Sequence, residues 1–184
     1  MLFGTLARMV PIKGLGDLLE AAAMLRRREP RPVFLLAGDG PLRASLEARA
    51  AGLRLDGMVR FLGFTSESAD ILASLDVFVL PSLDEGVPLA LLEALALGKP
   101  VVATAVGGPA ELLRHRFDAF LVRPGAPAEL AEACDTLVRD PALRAALGRQ
   151  ARSLARDRLS AERMAAEVRD LYCSVWRRNM EADS

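Results

Sequence analysis

Histidine is nearly absent from this chain of 184 residues; there is one, His115, and there are only two cysteines, one tryptophan and one tyrosine. Cys134 and Cys173 lie far apart, without metal or redox spacing. They read as small core fillers in a reducing compartment, so a cytoplasmic location is expected. No zinc spacing, Walker loop, Gly-x-Ser-x-Gly elbow or Asp-x-Asp pair occurs. Net charge is also lacking: 24 basic residues balance 24 acidic ones, which gives no global pull toward nucleic acid. The arginines between Arg144 and Arg163 are interleaved with Asp157 and Glu162 and read as a solvated helical face. No signal peptide is expected, because Met1 is followed directly by a strand-like run. The most apolar stretch, Leu89 to Val106, is broken by Glu93, Gly98, Lys99 and Pro100, so a membrane span is not indicated.

What is present is a core-forming pattern. Hydrophobic residues make up 52% of the chain, which predicts a folded domain. Short apolar runs predict strands at Leu2–Met9, Pro32–Ala37, Met58–Leu62, Val77–Leu80, Val101–Ala105 and Ala119–Val122. Helical patterns separate them: Gly14–Arg28, Pro41–Ala51, Glu67–Leu75 and the stretch around Glu93. Three further helices close the chain, near Pro127–Arg139, Pro141–Arg156 and Ala161–Arg177. Strands without strict alternation, joined by single helices, predict an α/β fold with a doubly wound, Rossmann-like parallel six-stranded sheet and helices on both faces. Such sheets bind ligands beyond the carboxyl ends of their strands, where helices begin.

Glu93 stands out. The stretch Pro88-Leu-Ala-Leu-Leu-Glu93-Ala-Leu-Ala-Leu97 has almost no polar face, which predicts a buried helix. A buried carboxylate costs several kcal/mol unless it is neutralised or bonded, so a polar partner is expected. Glu85 lies eight positions upstream in the loop Pro81-Ser-Leu-Asp-Glu85-Gly86-Val87-Pro88. A structural salt bridge, a capped turn, or a polar ligand held between the two acids satisfies this pattern. Along a helix, eight residues span up to roughly 12 Å. Glycosidase carboxylates stand about 5 to 9.5 Å apart, so the spacing favours two ends of a long ligand. Pro88 fits a first helical position, and Gly86 lets a backbone approach a ligand.

Arg8 and Lys13 flank the end of the first strand, with Lys13 before a helix start where a cation does not help the helix. An anion there would satisfy both, although two surface cations are the simpler alternative. Gly38-Asp-Gly-Pro41 is explained by turn geometry. Gly107-Gly108 precedes a short helix and is either a turn or a wall of the same crevice. His115, between Arg114 and Arg116, reads as a surface-loop residue without a catalytic role.

These segments resemble the donor-binding, C-terminal domain of GT-B glycosyltransferases, specifically the retaining family 4 (group 1). The resemblance rests on Gly4-Thr-Leu-Ala-Arg8-Met-Val-Pro-Ile-Lys13-Gly14, Ala37-Gly-Asp-Gly-Pro41, Val59-Arg-Phe-Leu-Gly63, Asp76-Val-Phe-Val-Leu-Pro-Ser-Leu-Asp-Glu85-Gly, Glu93 through Thr104, and Val106-Gly-Gly-Pro-Ala-Glu111. It implies a single nucleotide-sugar-binding domain over residues 1–184, lacking the N-terminal acceptor domain. It implies sugar transfer from a nucleotide-diphosphate donor, such as a UDP-sugar, in bacterial carbohydrate biosynthesis, with no metal or other cofactor. Arg8 and Lys13 match the basic pair at the donor diphosphate, Glu85 the acid at the sugar hydroxyls, and Glu93 the acid at the ribose. Gly86, Val87, Pro88 and Leu89 match the backbone beside sugar and diphosphate. Arg60 and its strand match the region lining the base, and Gly4 belongs to the first donor-binding block. Asp118-Ala119 departs from the family's Asn-Gly turn.

The chain alone is expected to bind donor and transfer nothing. Its partners are the nucleotide sugar and its own N-terminal domain; the full-length protein is expected to be cytoplasmic or peripheral to the cytoplasmic membrane. A noncatalytic nucleotide-binding module and a sugar-nucleotide epimerase are the rival readings. The apolar stripe Met164, Val168, Leu171, Tyr172, Val175 and Trp176 is expected to pack in the core or against the other domain, and uncovered area would make the chain a homodimer.

Overall fold

A computed structural model describes residues 1–182. Six strands form one parallel sheet: β1 (Leu2–Leu6), β2 (Val33–Ala37), β3 (Val59–Gly63), β4 (Val77–Leu80), β5 (Val101–Thr104) and β6 (Phe120–Val122). Their order is β3-β2-β1-β4-β5-β6, so the direction of winding reverses between β1 and β4. Helices α1 (Leu15–Met24), α2 (Arg43–Gly52), α3 (Ser68–Ser74), α4 (Leu89–Ala96), α5 (Gly107–Leu112), α6 (Pro127–Arg139), α7 (Pro141–Arg158) and α8 (Ala161–Ala182) complete the chain. The doubly wound, Rossmann-like sheet is the architecture predicted from the sequence.

The central strands are buried on both faces, which explains their unbroken apolar runs. Because side chains alternate along a strand, Val77 and Val79 enter one core and Phe78 and Leu80 the other. The first core holds Phe3 stacked on Phe34 at 5.0 Å, with Leu18 and Leu19 of α1 and Leu130 and Leu137 of α6. The second joins Leu72 of α3, Leu91 and Leu95 of α4, and Leu154 of α7.

Several boundaries differ from the sequence reading. β1 ends at Leu6, and Ala7–Val10 leave the strand for a 3-10 turn at Pro11–Lys13. Pro88 is the N-cap of α4 in extended geometry, not its first helical residue. Pro41 lies in a turn ahead of α2. Most consequentially, α4 is not buried all round. Leu91, Ala94 and Leu95 face the core, while Leu89, Glu93 and Leu97 form an exposed outer stripe. α4 shows no polar face because its solvent-facing side is itself apolar apart from Glu93.

α8 also departs from a core role. Its stripe is exposed throughout, including Tyr172 and Trp176, and Cys173 is exposed where a core filler was expected. Cys134 is buried, and burial pushes its thiol well above the ordinary range, with Asp135 adding to the effect. Since the thiolate is the reactive form, a folded sample treated with a thiol reagent should label Cys173 alone, and Cys134 should react only after denaturation. Rapid labelling of two thiols in the native chain would contradict this burial. Among the described residues, no helix is long and apolar enough to cross a membrane.

Candidate functional site

The loops leaving the carboxyl ends of the strands are stitched to one another through backbone bonds. Gly38 N–H donates to Gly63 O at 2.8 Å, Ala7 N–H to Ala37 O at 3.0 Å, and Leu83 N–H to Ile12 O at 2.7 Å. On the β5 side, Gly108 N–H donates to Glu85 O at 3.3 Å. The lip of the sheet is thus one connected surface, and its centre is the β1/β4 reversal. This is where ligands sit in doubly wound sheets.

Glycine makes the close approach possible. Gly14 adopts φ +61° between the 3-10 turn and α1, and a Cβ there would stand 2.0 Å from Pro81 O. A Cβ on Gly107, at φ +40°, would stand 1.9 Å from Glu85 O. These positions press the first loop and α5 against the Pro81–Pro88 loop.

At the reversal, Lys13 meets Glu85. Lys13 Nζ lies 2.5 Å from Glu85 Oε1, and Ser82 Oγ donates to the same oxygen at 2.7 Å. The Glu85 side chain is 7% exposed and that of Lys13 21%. Ser82 is fully buried, and Thr104 Oγ1 of β5 donates to its carbonyl at 2.5 Å. The carboxylate of Glu85 is thus the anion that meets Lys13 in this structure. Of the two acids, Glu85 therefore makes a salt bridge, while Glu93 makes none among the described residues. Ser82 and Thr104 were not assigned a role from sequence; the apolar strand contexts that precede them gave no signal beyond their hydroxyls.

α4 begins directly after this constellation. It has no side-chain cap and no acid in its first turn, so its first amides have no intrahelical acceptor. That end carries partial positive charge and suits an anion. Gly86, Val87 and Leu89 are exposed around it, and Pro88 partly so.

Arg8 is exposed and lines a cleft of about 470 Å³ on the β2 and β3 side, with Ala37, Gly38, Asp39, Phe64 and Ser68. Phe64 is 84% exposed and gives this cleft a flat apolar wall. It lies just past the strand of Arg60, and nothing in the sequence reading singled it out. Arg60 itself is exposed on β3, opposite Leu35 in register, upstream of the carboxyl end. Gly4 lies in mid-strand, buried, where a Cβ would come 2.5 Å from Leu75. Its place is packing beneath α3 and not the lip. Glu93 points outward from α4 and is not the buried acid that the helix pattern predicted.

Other singled-out residues are accounted for structurally. His115 Nδ1 accepts from Leu121 N–H at 3.1 Å, and its ring meets Phe120 edge-on. Asp118 is buried and accepts from the backbone and guanidinium of Arg114, while Arg116 takes φ +62° in the turn before Ala119. Lys99 donates to Ala73 O and Leu75 O at the end of α3.

Residues 2–154 match the family described as glycosyl transferases group 1. The chain belongs to that family. It is 30% identical over 166 residues to the N-acetyl-alpha-D-glucosaminyl L-malate synthase of Bacillus anthracis, covering 90% of this chain and 43% of that protein. Among solved structures it resembles HepE of Anabaena in complex with UDP, at 28% identity and a TM-score of 0.88, over 94% of this chain and 48% of HepE. It also resembles the C-terminal domain of a group 1 glycosyl transferase, LpcC of Francisella tularensis, at 27% identity and a TM-score of 0.80. There the match covers 87% of this chain and 86% of that one. The chain therefore spans less than half of the first two proteins and most of the isolated domain.

Proposed function

We propose that this chain is the donor-binding domain of a retaining, metal-independent GT-B glycosyltransferase of family 4, whose acceptor-binding domain lies outside these 184 residues. The observation that carries the reading is the Lys13–Glu85–Ser82 constellation at the β1/β4 reversal, directly before the uncapped start of α4. HepE has been solved with UDP and with UDP-glucose, which makes a uridine nucleotide the first candidate donor. The near-complete match to an isolated C-terminal domain supports the single-domain reading.

In this reading the nucleoside sits along the Arg8–Phe64 cleft and the diphosphate lies between Arg8, Lys13 and the first amides of α4. Glu85 accepts hydrogen bonds from the sugar hydroxyls, and Glu93, on the outer stripe of α4, accepts from the ribose. Charge grows on the diphosphate as the glycosidic bond breaks. Fixed donors aimed at that charge lower the barrier without a metal, and this is where the chain's own residues contribute most. The exposed faces of α4 and α8 are the surfaces that the second domain covers; without it, self-association of the chain through α8 is the expected consequence.

Calorimetric titration of the 184-residue chain with UDP-, GDP- and ADP-sugars tests the reading. Binding of one nucleotide class, with no sugar transfer by the chain alone, is the expected result. Absence of binding by all three would favour a noncatalytic scaffold, and measurable transfer would contradict the division of labour between domains.

A further inference from the structure

Resting on the donor-site reading above, we propose that Glu85 is an internal competitor for the diphosphate: it occupies Lys13 when the site is empty and reclaims it after the sugar has left. The two members of the pair are not equally free. Glu85 is held at its backbone, where Gly108 N–H donates to its carbonyl, and at its carboxylate by the fully buried Ser82. Ser82 is in turn fixed from behind by the Thr104 hydroxyl. Lys13 hangs from the end of a 3-10 turn on a flexible stem and is the more exposed partner. An arriving anion therefore moves the ammonium and leaves the carboxylate in place.

That exchange has different consequences for donor and product. A nucleoside diphosphate without sugar draws Lys13 away and leaves a nearly buried carboxylate with one remaining donor, Ser82. Such an uncompensated charge is unfavourable. A nucleotide sugar brings hydroxyl donors to the position that the ammonium vacated. Glu85 thus weakens the grip on the product while sparing the donor, which gives the site a built-in step toward release. Ser82 and Thr104 act here as positioning residues that keep the carboxylate aimed after Lys13 has moved.

The test compares the intact chain with Glu85→Gln, Glu85→Ala, Lys13→Ala and Lys13→Ala/Glu85→Gln, each first shown to keep the native circular dichroism. Affinities for UDP, GDP, ADP and their glucose conjugates are measured by calorimetry. Both Glu85 variants should bind the preferred nucleoside diphosphate on the order of tenfold more tightly than the wild type, and should lose the preference for the sugar-bearing form. In the Lys13→Ala background, Glu85→Gln should raise diphosphate affinity much less than in the wild-type background, because relief of charge repulsion remains but no ammonium is left to be freed. If the wild type binds nucleotides but neither Glu85 variant gains affinity for the diphosphate, the competitor role is wrong and the donor-site reading stands. If neither wild type nor variants bind any of these nucleotides, both fall together.

Discussion

Lys13→Ala is expected to lower turnover of the full-length enzyme by about 100- to 1,000-fold, the loss that follows removal of one fixed donor from a developing anion. The expectation combines two features: Lys13 is the cation at the sheet's reversal, and it stands before the uncapped start of α1 and is paired to the loop that leads into the uncapped start of α4. A loss of this size with a modest change in donor KM would mark a contact made mainly in the transition state. Stability should fall less dramatically. Without Lys13, Glu85 keeps only the Ser82 hydroxyl in a nearly closed environment, which costs about 1–3 kcal/mol. Glu85→Ala should cost less stability, since a freed lysine can extend into water, yet should also remove most turnover. Near-wild-type turnover in either variant would refute the roles given to the pair.

Gly107→Ala is the second change with a large expected effect, and it acts on the framework. The new Cβ would have to occupy space 1.9 Å from Glu85 O, at a φ that disfavours side chains. The loop carrying Glu85 must move, and the Gly108–Glu85 bond must lengthen or break. Left-handed strain and overpacking together suggest a loss of about 2 to 5 kcal/mol. For a domain of this size that is a fall in Tm of roughly 5 to 15 °C. Gly52→Ala is the control: nothing lies within 4 Å of its new Cβ and its φ is ordinary, so stability should change by less than about 1 kcal/mol. Calorimetric melting of the pair checks the contrast. Equal melting of both variants would mean that the approach of α5 to the Glu85 loop is not tight.

The parts of this fold that were legible in the sequence are those governed by periodicity. Val77–Leu80 and Val101–Thr104 are apolar without alternation because each is covered on both faces, and that pattern survives in the sequence as written. The lip was legible through its glycines and prolines. What was not legible depends on how elements are oriented in space. α4 reads as buried from composition, but only the face of Leu91, Ala94 and Leu95 meets the core. Composition cannot distinguish an apolar face turned to a core from one turned to solvent or to another domain. The same holds for α8, whose regular stripe matches a core helix and is exposed.

Within the site, Glu85 and Lys13 are distant in sequence, and only the β1/β4 adjacency makes them partners. Ser82 was invisible for a different reason. A serine after a strand is an ordinary loop residue until its hydroxyl is seen on the carboxylate oxygen that Lys13 shares. Phe64 likewise becomes notable only once its exposed ring is found beside Arg8.

The most direct measurement of the central claim is a crystal structure of this chain soaked with the nucleotide sugar that it binds best. The account predicts the diphosphate against Lys13 and the start of α4, with the sugar hydroxyls on Glu85 and the Lys13–Glu85 pair separated. A nucleotide bound away from the β1/β4 reversal, with that ion pair still closed, would contradict it.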